Sequence, residues 1–179
     1  MAFDREELLE KLARAMLPNP GITMNELASS TGISKASLHR IYSTREHLQK
    51  IILEKIMWVF DEVRKITGRN SDDFGQQLQE LIKFHCDNST YVLFLGRDDF
   101  FEMFGDDRFD SYYDELEQFF REGQKRGYIT LDLDAGTVAD VFISMVTGIL
   151  ESSLWGHIST RNMEKIILRA LLGGIKNNS

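Results

Sequence analysis

Apolar positions recur at helical spacing along nearly the whole chain. Leu8, Leu12, Ala15 and Met16 line one face of a predicted first helix, Asp4–Leu17, which Pro18-Asn19-Pro20-Gly21 stops. Thr23-x-x-Glu26 has the form of a capping box and starts a second helix. Gly32 ends that helix at a place where a positive φ is needed. Ser34 can cap a third helix running to about Tyr42. Ser43-x-x-Glu46 then opens a long fourth helix, 44–66, whose buried face runs through Leu48, Ile52, Ile56, Val59 and Val63. Beyond "GRNSDD" the predicted spans are 71–87, 90–104, 107–126, 134–155 and 160–174, with breaks at "GDD" and "RGYITLDLD". No run sustains the period-two alternation of a strand, so the predicted fold is all-α.

The two short helices before the long one need a reason to exist, since neither is long enough to be stable alone. At 100° per residue, Leu38, Ile41 and Tyr42 fall on one face of the third helix. Lys35, Ala36, His39 and Arg40 fall on the other, with Ser37 at the border and no carboxylate among them. Small Ala28 allows close approach of the second helix, and Gly32 supplies the tight turn. Together these make a helix-turn-helix whose second helix enters the DNA major groove. A merely solvated polar face is the alternative. Charge agrees with a local anion-binding surface: the chain carries −7 overall, but residues 1–50 hold seven Lys/Arg against six Asp/Glu.

Met24–Leu48 resembles the DNA-binding segment of TetR/AcrR-type transcriptional regulators. The matching positions are Leu27-Ala28, Gly32-Ile33-Ser34, Lys35-Ala36-Ser37-Leu38, the aromatic Tyr42, and Thr44-Arg45-Glu46-His47-Leu48. The match covers roughly the first 65 residues, and the remainder resembles the family in helix number, length and size. The resemblance implies that Thr23, Ser37, His39, Tyr42 and Arg45 address the DNA backbone. It leaves Lys35, Ala36 and Arg40 for base edges, and Ser34 completes the DNA-facing set. Tyr42 fits a core plug equally well, and Thr23 a helix cap. The chain departs from the family pattern in three places: His39 stands where Tyr is usual, the "LPNPG" turn is compact, and "MAFDREE" replaces a basic N-terminal arm. The implied function is sequence-specific transcriptional regulation, as a repressor released by a small-molecule ligand. The implied partners are double-stranded operator DNA in an inverted repeat and a second copy of the chain.

The expected organisation is a helix-turn-helix DNA-binding domain over 1–50, joined by the long helix to a ligand-binding and dimerisation bundle over 51–179. The 134–155 helix and the last helix are apolar on more than one face, so a partner surface is the simplest way to bury them. Phe142, Met145, Ile149, Met163, Ile167 and Leu171 are the expected dimer contacts, with a monomer core as the alternative. An excess of aromatics can line a cavity for a small apolar or aromatic effector, or can be plain core; Phe84, Tyr91, Phe94, Phe101, Phe104, Tyr112 and Tyr113 are the candidates. His85 and Cys86 have no second pair at metal spacing, so neither metal nor cofactor is expected. No enzyme signature occurs: there is no GxSxG, HExxH, paired CxxC or phosphate-cradling Gly loop. The apolar run "VFISMVTGIL" is too short to span a bilayer, and an acidic, amphipathic N-terminus with a single cysteine fits a cytoplasmic protein. An all-helical enzyme or ligand carrier, or a helical protein adaptor, are the rival readings.

Overall fold

The computed structural model describes residues 4–97 and 106–175, and Phe101 and Phe104 lie outside them. The described chain is helical, with no strand. In order, the helices are α1 (Arg5–Met16), α2 (Met24–Thr31), α3 (Lys35–Ile41), α4 (Arg45–Thr67), α5 (Phe74–Asp87), α6 (Ser89–Val92), α7 (Asp106–Lys125), α8 (Ala135–Leu154) and α9 (Met163–Ile175). A 3-10 turn, Leu93–Gly96, follows α6. The predicted 90–104 helix is therefore not continuous: α-helical geometry ends at Val92 and tightens into that turn before Arg97 becomes extended. The chain divides into two compact units between Val59 and Phe60, farther along α4 than residue 50. The apolar stripe explains the later position, because Leu48, Ile52, Ile56 and Val59 stay buried along one face of α4.

The first unit is a head of short, capped helices. Asp4 caps α1 by accepting the Glu6 N–H at 2.9 Å. Leu8, Leu12, Ala13 and Met16 of α1 are buried with Leu27, Ala28 and Leu38. Ile22 and Leu27, flanking the start of α2, are both buried, an apolar pair in the positions of a hydrophobic staple.

In the second unit α8 lies against α7, α9 and α5, and α9 also lies against α5. Aromatic rings build much of the interior: Phe74 stacks on Phe119 at 4.6 Å, and Phe120 meets Phe142 at 5.4 Å. Buried Gln77 closes the end of α4, its amide nitrogen donating to Ile66 O at 2.6 Å and Arg69 O at 2.9 Å. Those carbonyls would otherwise lie unsatisfied at the helix terminus. Asp73 and Asp134 cap α5 and α8 by accepting the N–H groups of Gln76 and Thr137, each at 2.9 Å.

Gly123, near the end of α7, allows the closest approach in this unit: a Cβ there would sit 2.4 Å from Phe74 Cζ and 2.8 Å from Ile129 Cγ1. Gly123→Ala should cost about 1–3 kcal/mol through overpacking. Denaturant unfolding checks this, and a variant as stable as wild type would show that the Phe74–Phe119 stack yields freely.

Candidate nucleic-acid interface

The turn between α2 and α3 is built by Gly32, at φ 72°. The Gly32 N–H bonds back to Ser29 O at 3.4 Å and the Ile33 N–H to Ala28 O at 3.1 Å, the paired pattern of a Schellman termination. Ile33 and Ala28 are both buried, so the turn is also tied by an apolar contact position. Ser34 then caps α3, accepting the Ser37 N–H at 3.1 Å and donating its own hydroxyl to Ser37 Oγ at 2.9 Å. Leu38 is fully buried and anchors the helix. The opposite face presents Lys35, Ala36, His39 and Arg40 to solvent, with Ser37 half-buried. Among the described residues no ion pair engages Lys35 or Arg40. Two unneutralised cations, a small residue and an imidazole on one outward stripe form a surface able to take DNA phosphates and base edges.

Four of the expected DNA-facing residues have other work. His39 has its Nδ1 3.2 Å from Ser43 O. A bond there requires Nδ1–H as donor, which leaves Nε2 for an outside partner. Thr23 accepts the Glu26 N–H at 3.3 Å, while its own N–H and hydroxyl both donate to Glu26 Oε2 at 2.7 Å. It is a helix cap, and those bonds hold the Glu26 carboxyl below its ordinary range. Tyr42 is 4% exposed and meets His47 edge-on at 6.4 Å. Burial pushes its phenol up. That burial is what the core-plug reading expects. Arg45 departs furthest from expectation: its two terminal nitrogens donate to the carbonyls of Ile22 and Pro20. The residue is half-buried, and both terminal nitrogens have partners inside the head.

No protein-family model matches the chain. The HTH-type transcriptional regulator NfxB of Pseudomonas aeruginosa is 30% identical over 176 residues, covering 96% of this chain and 94% of its own length. Among solved structures, the MbdR regulator from Azoarcus sp. CIB is similar with a TM-score of 0.69 at 18% identity, covering 94% of this chain and 97% of its own. The TetR-like transcriptional regulator LfrR from Mycobacterium smegmatis gives a TM-score of 0.69 at 14% identity, covering 94% of each chain. The chain belongs to the TetR/AcrR-type transcriptional regulators. Its function is DNA-binding transcriptional regulation.

In this TetR/AcrR-type regulator the aromatic bundle holds a buried polar pair, His85 and Tyr112. His85 Nδ1 lies 2.7 Å from Leu81 O, so it carries the proton and donates. Nε2 then accepts from the Tyr112 hydroxyl at 2.6 Å. Phe60 stacks on Tyr112 at 4.8 Å, and Phe142 packs edge-on against His85 at 5.4 Å. Of the expected pocket residues, the described geometry brings Tyr112 and Phe84 to His85, Phe84 edge-on at 6.5 Å. Tyr91 and Phe94 are buried on α6 and the following turn. Tyr113 is half-buried and donates to Gly136 O at 3.1 Å. His85 was visible in the sequence only as half of a weak metal pair; its partner lies 27 residues away and no local pattern announces it. The neighbouring Cys86 thiol is pushed up to about 11, chiefly by burial.

The dimer-contact residues also need correction. Phe142, Met163, Ile167 and Leu171 are buried within the single chain, where they fill the core among α5, α7, α8 and α9. Periodicity shows two apolar stripes on each of α8 and α9 without saying which one faces inward. Met145 and Ile149 remain half-buried. Ser144, Gly148, Ile166, Ala170, Gly173 and Gly174 are exposed.

Burial pulls the His85 imidazole down to about 4, so the folded chain takes up this proton later than the unfolded chain, whose imidazole titrates near ~6.5. Its contribution to stability is complete above about 6.5 and is lost as pH falls toward about 4, by on the order of 3 kcal/mol. Denaturant unfolding across that window should be flatter with pH in His85→Gln than in wild type. Superimposable profiles would show that His85 titrates freely.

Proposed function

We propose that the chain is a homodimeric repressor, without enzymatic activity, that reads a double-stranded inverted-repeat operator through α3 and leaves it when a small apolar or aromatic effector binds the bundle. The carrying observation is the outward stripe of Lys35, Ala36, His39 and Arg40 on a short helix held by the Gly32 turn and by buried Leu38. Lys35 and Arg40 have the reach and charge to meet guanine edges or phosphates, Ala36 the size to let the helix approach, and His39 Nε2 a phosphate donor when protonated. Ser34 and Ser37 cap and flank this stripe, and Thr23 sets the pitch of α2. The division of labour follows: the head binds DNA, and the bundle pairs and senses. The cytoplasm, where the operator is, is its place of action.

Support for the dimer comes from α8 and α9. α8 is the described helix whose length and composition would suffice to cross a membrane, yet only 33% of that stretch is buried in the chain itself. A Cβ at Gly148, Gly173 or Gly174 would meet nothing within 4 Å. The chain's own packing therefore does not demand small residues there, whereas close approach of a second copy does. Support for the effector comes from the bundle interior. Its buried polar side chains among the described residues include Gln77, His85, Thr90, Ser153 and the hydroxyl-bearing Tyr91 and Tyr112, none a fixed charge. A neutral, aromatic-rich interior favours an apolar guest with a hydrogen-bonding group. Release requires that this guest bind the non-operator conformation more tightly.

Selection from a random duplex pool should return an inverted repeat; sequences without symmetry would remove the two-headed reading. On that operator Lys35→Ala and Arg40→Ala should each lose about 1–3 kcal/mol of binding while unfolding as wild type does. Wild-type affinity in either variant removes that residue from the readout. Ala170→Glu and Gly148→Glu should run as folded monomers on a sizing column, because they burden only the exposed flank. Persistence of the dimer in both would place the interface on another face.

A further inference from the structure

We propose that Arg45 is a positioning residue of the DNA-binding head, clamping the turn before α2 onto the start of α4, and that it makes no contact with a DNA phosphate. This rests on the reading of the head as the DNA-binding unit.

The turn that enters α2 is short of donors. Pro18 and Pro20 carry no N–H, and the backbone bond inside the turn is Ile22 N–H to Asn19 O at 3.1 Å. The carbonyls of Pro20 and Ile22 take donors from outside the turn, and Arg45 supplies both, Nη2 to Pro20 and Nη1 to Ile22. A planar guanidinium can reach two carbonyls of one turn at once, whereas an ammonium is a point charge and cannot hold both in a fixed fork. The partners lie 25 and 23 residues before Arg45, so the contact closes a ring of chain that contains all of α2 and α3. Closing that ring restricts how the recognition helix can tilt relative to the start of α4.

The point of attachment matters. Ile22 is buried and immediately precedes Thr23, the N-cap of α2. Holding the Ile22 carbonyl holds the first turn of α2, where Thr23 O accepts the Leu27 N–H at 2.9 Å. At the other end, α4 begins at Arg45 itself and is tied by Thr44 Oγ1, which accepts the His47 N–H at 3.1 Å. The compact "LPNPG" turn places both carbonyls within reach of a side chain on this first turn. Each terminal nitrogen of Arg45 thus has a carbonyl of this chain as its partner.

The test compares the full chain with Arg45→Lys and Arg45→Gln. Without DNA, amide exchange at Leu27 should quicken in both variants by about tenfold, the scale set by losing a charged hydrogen bond. On the selected operator both should bind about tenfold more weakly, since Lys keeps the charge but not the fork. The salt dependence of binding should keep its wild-type slope in both. A phosphate contact predicts otherwise: Arg45→Lys near wild type, and Arg45→Gln with a slope smaller by about 0.9. That pattern, or unchanged Leu27 exchange in both variants, overturns the proposal. Because the exchange is read without DNA, an absence of operator binding by the wild-type chain would count against the regulator reading alone. If Arg45→Gln does not fold, Arg45→Lys against wild type still decides the matter through exchange and affinity.

Discussion

The left-handed conformation of Gly32 is the constraint on which the head depends. At φ 72° the chain reverses tightly enough for Ile33 to bond back to Ala28 and for Ser34 to cap α3 immediately afterwards. Nothing lies within 4 Å of the place a Cβ would occupy, so the requirement for glycine there is conformational and not steric crowding. Once the turn is set, burial of Leu38 chooses the rotation of α3, and that rotation alone decides that Lys35, His39 and Arg40 face outward. Chemistry on the outward face is thus a by-product of packing on the inward one.

Side-chain donors to backbone carbonyls recur wherever α4 must be held. Arg45 supplies them at its beginning, to Pro20 and Ile22, and Gln77 at its end, to Ile66 and Arg69. Each bond satisfies a carbonyl that the helix or turn leaves without an internal partner. Arg45 in this way joins segments 23 and 25 residues apart, and Gln77 spans 11 and 8 residues back to the end of α4, so the terminal geometry of α4 is defined by contacts beyond the helix itself. Apolar and aromatic packing fills the bundle interior, and ion pairs such as Arg64–Glu115 and Arg69–Glu80 tie its elements at the periphery. His85 and Tyr112 satisfy one another and the Leu81 carbonyl, which keeps the pair tolerable in a ring-lined interior.

Membership in the TetR/AcrR-type regulators agrees with the all-α order of short capped helices followed by longer ones. The helix starts at Thr23 and Ser34 and the stop at Gly32 were readable because each depends on atoms within a few residues. The roles of Arg45, Tyr42 and Phe142 were not. Arg45 finds its acceptors 23 and 25 residues away, and Phe142 finds His85 from another helix. Family resemblance pointed Arg45 toward phosphate because it compares positions, and the unusual turn facing it is a property of this chain.

By itself the sequence determined the all-α character, the caps of α2 and α3, and the acid-free polar stripe on α3, since these follow from local sterics, hydrogen-bonding reach and helical period. The tertiary structure decided which of two apolar stripes on α8 and α9 lies inward and whether Tyr42 reaches solvent. It also decided where the head ends along α4, and that Arg45 points back into its own turn. Periodicity places residues on a face without saying what the face meets, and only the packed chain supplies the other side.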